Sequence, residues 1–400
     1  MTTFVPLGGS VMKSSIKDFT HLMHWSHRDH CPVPQHGDAL TEWSEALDEN
    51  VNGMLRREPG VLLGLYPVQD LNGIDTSDQT VVARKVFFER CSRTPGIVVS
   101  DTKDAYTGSL TLSALEYTPN AKTDENFKKL RTEMQRPDGW ALAEAIQAWA
   151  VARQLAIGLH YDWSPRPPPE WLDARKLWAQ FVRDTLAKPS ANRMGLDTEL
   201  QVANAVLDNK LADDYGLLAA WREIKPTFVI NSVPVWHDDT ALKLCCDWLA
   251  DHPKGIAWCE HRHFAAALSK MSGIAYYGAK GLDKQGNFIQ DATGPVIASI
   301  AANSTGRNLQ DKWCDNLVTA APADSERWEQ LIGRTHRLGQ RADAVTVDVL
   351  VGCREHLEAV PRAVSSAEVK KDLLGFSQKL RLADITNWPD LKGRTGWAWA

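Results

Sequence analysis

Hydrophobic positions along the 400-residue chain fall into two textures. Between Asp38 and about Ala212 apolar residues recur at three- and four-residue steps, the spacing that lines one face of a helix. This predicts helices over residues 40–51, 80–90, 123–134, 142–158, 169–187 and 197–210, with Pro or Gly between them. A stretch at 93–115, RTPGIVVSDTKDAYTGSLTLSAL, is rich in β-branched residues and turn formers, so one or two short strands interrupt the helices there. After about residue 213 short apolar runs at 255–259, 273–276, 295–300, 316–320 and 344–351 read as buried strands. They alternate with helices at 240–251, 261–271, 306–313 and 325–338, and such alternation predicts a parallel sheet covered by helices on both faces.

Composition narrows the function classes. An apolar content of 44% suffices for a sizeable core and excludes a disordered chain. A formal charge of -5 gives no global attraction to nucleic acid, so any such binding rests on local patches. No uninterrupted apolar window approaches the roughly 18 residues of a membrane span, and seven cysteines without a CxxC pair fit reduced thiols. The expectation is a soluble protein of the cytoplasm with no membrane partner.

Three clusters invite a ligand. His21, His24, His27 and His30, followed by Cys31, drift around a continuous helix and do not converge on one ion. Cys259, His261 and His263 converge only if a strand continues where a helix starts, so no metal ligand is assigned in either place. Trp163, Trp171 and Trp178 sit among Arg153, Arg166, Arg175, Lys176 and Arg183. Aromatic rings between cations stack bases, but Trp171 and Trp178 lie two helical turns apart, and core packing is the preferred reading.

The strongest pattern is DSERWEQLIGRTHRLGQR, residues 324–341. Asp324 after Pro322 suits a helix start and Gly339 a left-handed stop, which predicts one amphipathic helix. On it Gln330, Arg334 and Arg337 project from one face, with Trp328, Leu331 and Leu338 packing toward the sheet. Two guanidinium forks aimed at one point suit phosphate oxygens. The string Gln330, Gly333, Arg334, His336, Arg337, Gly339, Gln340 resembles motif VI of the superfamily 2 helicases, in the form found in Swi/Snf-type motors. The resemblance implies a second RecA-like motor domain in which Arg334 and Arg337 act as arginine fingers on a triphosphate held by another domain.

Other segments extend the resemblance in the family's order. The 255–281 stretch resembles the motif IV region, and IAANSTGRNLQ, 300–310, resembles motif V, although the family's two glycines and GLNL are replaced by STGRNL. The resemblance implies that Ser304, Thr305, Arg307 and Asn308 contact a nucleic-acid backbone and that Gln330, Gly306 and Gly333 join the two arginines at the nucleotide. Near the start, 15–22 resembles the segment that follows motif III, and Gly8 to Met12 an altered remnant of that motif. The 93–115, 151–184 and 370–388 stretches resemble segments of phage-encoded helicases of this type.

No GxxxxGK[ST] phosphate loop and no DEAD, DEAH or DExH string occurs in the sequence. The expected organisation is therefore a linker or motif III remnant at 1–18, a mostly helical accessory module at 19–212, the second RecA-like domain at 213–360 and a helical tail at 361–400. The resemblance implies the C-terminal half of a DNA helicase or translocase, with ATP and Mg2+ held mainly by a separately encoded N-terminal half and with DNA as partner. The alternative from another class is a non-enzymatic DNA-binding or regulatory subunit that keeps the fold, and a third is a degenerate remnant.

Overall fold

The computed structural model describes the chain apart from residues 1–5, 7–11, 35–36, 50, 52–54, 65–76, 100–107, 140–141, 143–144, 187, 189, 191–193, 195, 197–198, 230 and 386. Most of the segment expected as a motif III remnant thus lies outside the described residues. Eight strands occur among those described: β1 (Ser109–Glu116), β2 (Leu159–Trp163), β3 (Ser232–Trp236), β4 (Gly255–Cys259), β5 (Tyr276–Tyr277), β6 (Val296–Ser299), β7 (Asp315–Val318) and β8 (Ala344–Val351). Six form one sheet in the order β1-β8-β7-β4-β6-β5, every pairing parallel.

Alternation along the central strands splits the core into two layers. Ile256 and Trp258 of β4, with Val347 and Val349 of β8, pack with Trp328, Leu331 and Ile332 and with Leu357, Val360 and Ala363. Ala257 and Cys259, with Ile297, Leu317 and Leu350, face Leu242, Cys245, Phe264 and Leu268 on the helices Thr240–Asp251 and Arg262–Ser272. Near-continuous apolar strands are what a sheet buried on both faces requires. The fold is the expected α/β class, a parallel sheet with helices on both faces, preceded by a mostly helical region.

Several expected elements change. Residues 19–212 supply β1, which pairs along its whole length with β8 and forms one edge of the sheet. The sheet therefore crosses the expected boundary between 212 and 213. Only Leu110 and Leu112 of β1 are buried, so its sequence lacks the apolar run of the central strands, and its partner lies far along the chain. A second departure is the two-stranded antiparallel pairing of β2 with β3, which brings together the two ends of the helical stretch between them. The helix expected at 306–313 is a turn-rich loop instead. At the C-terminal end, helix Arg354–Leu374 runs unbroken through the expected 360/361 boundary and stops at Gly375, whose φ of 76° takes the left-handed region. Beyond it the short helix Lys379–Leu382 packs on the helix Ser325–Ile332, and Asp384 exchanges backbone hydrogen bonds with Leu110 and Leu112 of β1, covering the edge strand.

The tryptophan reading favoured from the sequence holds. Trp171 and Trp178 are buried with Val182, Val202 and Trp221 in a separate apolar cluster. The Arg175 guanidinium lies 4.9 Å from the centre of the Trp163 ring, stacked against the cluster's edge.

Candidate nucleotide-facing site

Asp324 caps its helix as expected, accepting the Glu326 N–H at 2.9 Å. The helix covers only Ser325–Ile332, however, and its terminal cap is Gly333 rather than Gly339. Any side chain at 333 would collide with the Glu329 carbonyl, so glycine suits the close approach here. Past it, residues 334–339 run as successive turns. The single helical face predicted for Gln330, Arg334 and Arg337 is thus corrected: both arginines stand on a loop. Leu338, expected to pack on the sheet, is 70% exposed. Trp328 and Leu331, the other two expected packing residues, are fully buried.

The loop itself holds the two arginines beside one another. Arg334 donates from Nε to the Gln330 carbonyl at 2.9 Å and from Nη1 to the Arg307 carbonyl at 2.9 Å. The Leu309 N–H returns a bond to the Arg334 carbonyl at 3.3 Å. Arg337 donates from Nη1 to Asn308 Oδ1 at 2.8 Å. Residues 307–309 and 334–337, the segments resembling motifs V and VI, therefore form one stitched surface.

Beneath it lies a network that sequence reasoning missed. Thr335 and His336 are both buried. Thr335 Oγ1 donates to Asn316 Oδ1 at 3.1 Å, His336 Nε2 lies 3.2 Å from the Gly108 carbonyl just before β1, and the Gln340 amide donates to the Trp313 and Thr335 carbonyls. Asn316 also accepts from the Trp258 indole at 3.1 Å and donates to the Thr346 carbonyl at 2.9 Å. An amide inside the apolar strand Asp315–Val318 was the readable signal, since buried polar groups must be paired.

The electrostatics suit an external anion. Among the described residues no carboxylate lies within ion-pair distance of Arg307, Arg334 or Arg337. Burial and then the neighbouring Arg337 charge pull the Arg334 pKa below its ordinary value, with Glu329 opposing. Two like charges held close without a carboxylate counter-ion form an arrangement that a polyanion relieves.

The remaining expected residues divide. Thr305, Gly306 and Asn308 are exposed, and Gly306 has a φ of 69° that suits glycine. Ser304 is buried at the end of the short helix Ile300–Asn303. Arg307 turns back into its own domain, donating to the Lys280 carbonyl and to Gln290 Oε1, so its guanidinium is committed to the loop after β5. Gln330 donates to Glu326 at 3.1 Å on its own helix. Gly333 serves the backbone. Among the described residues no three His, Cys, Asp or Glu side chains are disposed to hold a metal ion, and no helix is long and apolar enough to cross a membrane.

No protein-family model and no curated protein matches the chain. Among solved structures it is similar to the C-terminal part of the Fun30 ATPase domain, at 11% identity over 64% of this chain and 90% of that one, with a TM-score of 0.32. It is also similar to a DEAD box protein from the hyperthermophile Methanococcus jannaschii, at 18% identity over 32% of this chain and 37% of that one, with a TM-score of 0.26. The match thus spans little more than a third of the latter protein. Both likenesses are distant and concern the fold alone.

Proposed function

We propose that the chain is the C-terminal motor half of an ATP-dependent DNA helicase or translocase, contributing Arg334 and Arg337 to a nucleotide site completed by a separately encoded N-terminal half. The observation that supports this most is the pair of adjacent guanidiniums without carboxylate partners, held by the loop spelled like motif VI against the loop spelled like motif V. Nη2 of Arg334, and Nε and Nη2 of Arg337, have no hydrogen-bond partner among the described residues. These donors fit phosphate oxygens and leave the phosphate loop and the carboxylates for Mg2+ to the other half. ATP with Mg2+, bound between the halves, would supply the free energy of phosphoryl transfer.

In this arrangement Arg334 is the positioning-rigid finger, fixed at both Nε and Nη1, and Arg337 the more adaptable one. Donors preorganised before charge develops stabilise it without reorganisation, and such fingers contribute on the order of 10³ to 10⁵ in rate. Thr305 and Asn308, both exposed, would meet a DNA backbone. Arg307 acts indirectly, by bracing the loop.

The experiment is ATPase turnover by the chain alone, by a candidate N-terminal half alone and by their mixture, each with and without DNA. DNA-stimulated turnover only in the mixture is expected. Retained DNA binding with no turnover in any mixture would support the non-enzymatic subunit in its place.

A further inference from the structure

Between β5 and β6 the chain folds back on itself at Leu282 and Phe288, which form an antiparallel bridge, and the Asp283 N–H donates to the Asn287 carbonyl at 3.0 Å. The turn they enclose is filled from within. Asp283 Oδ1 accepts the Gln285 and Asn287 N–H groups at 2.9 and 2.8 Å, and Oδ2 accepts the Asn287 amide at 2.9 Å. Two cations then fasten the base of the turn to the domain. The Arg307 guanidinium donates to the Lys280 carbonyl and to Gln290 Oε1, and the Lys312 ammonium donates to the Gln290 and Ala292 carbonyls at 2.6 and 2.9 Å. The loop is thus tied both before and after its tip. Yet Phe288 at that tip is 50% exposed, while the adjacent Ile289 is fully buried. Lys280 and Lys284 are exposed as well, and among the described residues neither pairs with a carboxylate. With the two cations that reach it, the stretch 278–292 gathers Lys280, Lys284, Arg307 and Lys312 against Asp283 and Asp291, and Asp283 is spent inside the turn.

We propose that Phe288 is a stacking platform for a base of single-stranded DNA, with Lys284 and Lys280 taking the flanking phosphates. An aromatic ring held out to solvent on a tied turn has little ordering left to lose on binding. Set between free ammonium groups, it fits a partner that is flat and apolar on its faces and anionic along its edge, which describes an unpaired nucleotide. Bases of a duplex already stack on one another, so the platform selects a single strand. The inference deepens the reading of this chain as a DNA-binding motor half and rests on it for the choice of polyanion. Arg307 joins the platform to the loop bearing Thr305 and Asn308, because its backbone belongs to that loop while its guanidinium holds the turn. An arginine expected at the nucleic acid instead presents another residue to it.

The test is fluorescence anisotropy of the full chain with a labelled oligothymidylate of about 15 nucleotides and with a duplex of the same length, over a series of salt concentrations. Phe288→Ala and Phe288→Leu should each weaken oligothymidylate binding by about fivefold to tenfold without changing its salt dependence. Phe288→Trp should hold or tighten it, which separates loss of the ring from loss of the fold, and duplex binding should not move. Lys284→Ala should instead lower the slope of log affinity against log salt by about 0.7. Ultraviolet crosslinking of the same oligonucleotide carrying 5-iodouracil, followed by peptide mass spectrometry, should attach it to Phe288. A wild-type chain that binds no oligothymidylate, unchanged binding in Phe288→Ala, wild-type binding in Phe288→Leu, or an equal loss on the duplex each overturns the inference. Unchanged DNA binding in Phe288→Ala with weakened assembly onto a candidate N-terminal half also overturns it, and makes the ring a protein contact. Two outcomes separate the platform from the motor. Loss of binding in Phe288→Ala, with no ATP turnover in any mixture with a candidate N-terminal half, upholds the platform and removes the motor reading. Binding that Phe288→Ala leaves intact but Thr305→Ala with Asn308→Ala weakens removes the platform and leaves the motor reading standing.

Discussion

Asn316→Leu removes a side chain that ties the loop after helix Ser325–Ile332 to the interior of the sheet. The amide is fully buried and uses all four of its bonds: Oδ1 accepts from Trp258 and Thr335, and Nδ2 donates to the Thr346 carbonyl at 2.9 Å and the Cys314 carbonyl at 3.3 Å. Leucine fills the space but leaves the buried indole N–H unpaired, while the Cys314 carbonyl keeps the Thr346 N–H at 3.0 Å and the Thr335 hydroxyl falls back on the Ile332 carbonyl at 3.3 Å. An orphaned buried polar group costs about 1–3 kcal/mol, and the change should cost about 2–3 kcal/mol. Thr335→Val removes a single donor from an oxygen that keeps its indole partner, and should cost about 1 kcal/mol. Because both changes break the same bond, the double variant should cost less than the sum. Urea unfolding followed by tryptophan fluorescence measures all three, with the urea dependence of each transition checking that a common unfolding is compared. An Asn316→Leu cost within about 1 kcal/mol of wild type, or strict additivity in the double variant, would refute the network.

The other predictions concern pH and the loops. His356 is fully buried, and burial, then the charges of Arg153 and His261, push its pKa down to about 3, with the Leu350 backbone opposing. A base with a depressed folded pKa contributes stability that is complete above its unfolded value, near 6.5, and is lost as pH falls toward the folded value. At pH 5 this one group should cost about 2 kcal/mol relative to pH 7, and melting curves of His356→Leu should be flatter over that interval than those of wild type. Gly281 has a φ of 70° and an added Cβ would overlap the Arg307 guanidinium. Gly281→Ala should therefore destabilise the chain by about 1–2 kcal/mol in urea and weaken binding of a single-stranded oligonucleotide several-fold by displacing the loop that carries Thr305 and Asn308. Leu338→Ser, at an exposed position, should change stability by less than about 0.5 kcal/mol, and a larger loss would place that residue in a core.

Local pattern made much of the sheet legible. Strand β8 and the helix Thr240–Asp251 have the bounds read from periodicity, because long apolar runs and clean three-and-four spacing leave one interpretation. Strand β1 and the β2–β3 pairing were not legible as partners, since each depends on a contact between distant stretches. The helix over 324–341 was overextended for a different reason. Its hydrophobic spacing continues through Leu338, but the Thr335 hydroxyl and His336 ring find partners on the sheet and before β1 only if the chain leaves the helix. Tertiary hydrogen bonds outweighed local propensity at the very residues that resemble a known motif. The nearness of Arg334 and Arg337 was expected, but the bonds that produce it, to the Arg307 carbonyl and Asn308, required the structure.

The most direct test is steady-state ATP hydrolysis by the mixture with a candidate N-terminal half, comparing wild type with Arg334→Ala and Arg334→Lys in DNA excess, while sedimentation monitors assembly. Turnover should fall by at least about a thousandfold in Arg334→Ala, with little recovery in Arg334→Lys because an ammonium lacks the planar fork, and with assembly intact. DNA-stimulated turnover that survives Arg334→Ala at a near wild-type rate would contradict the account.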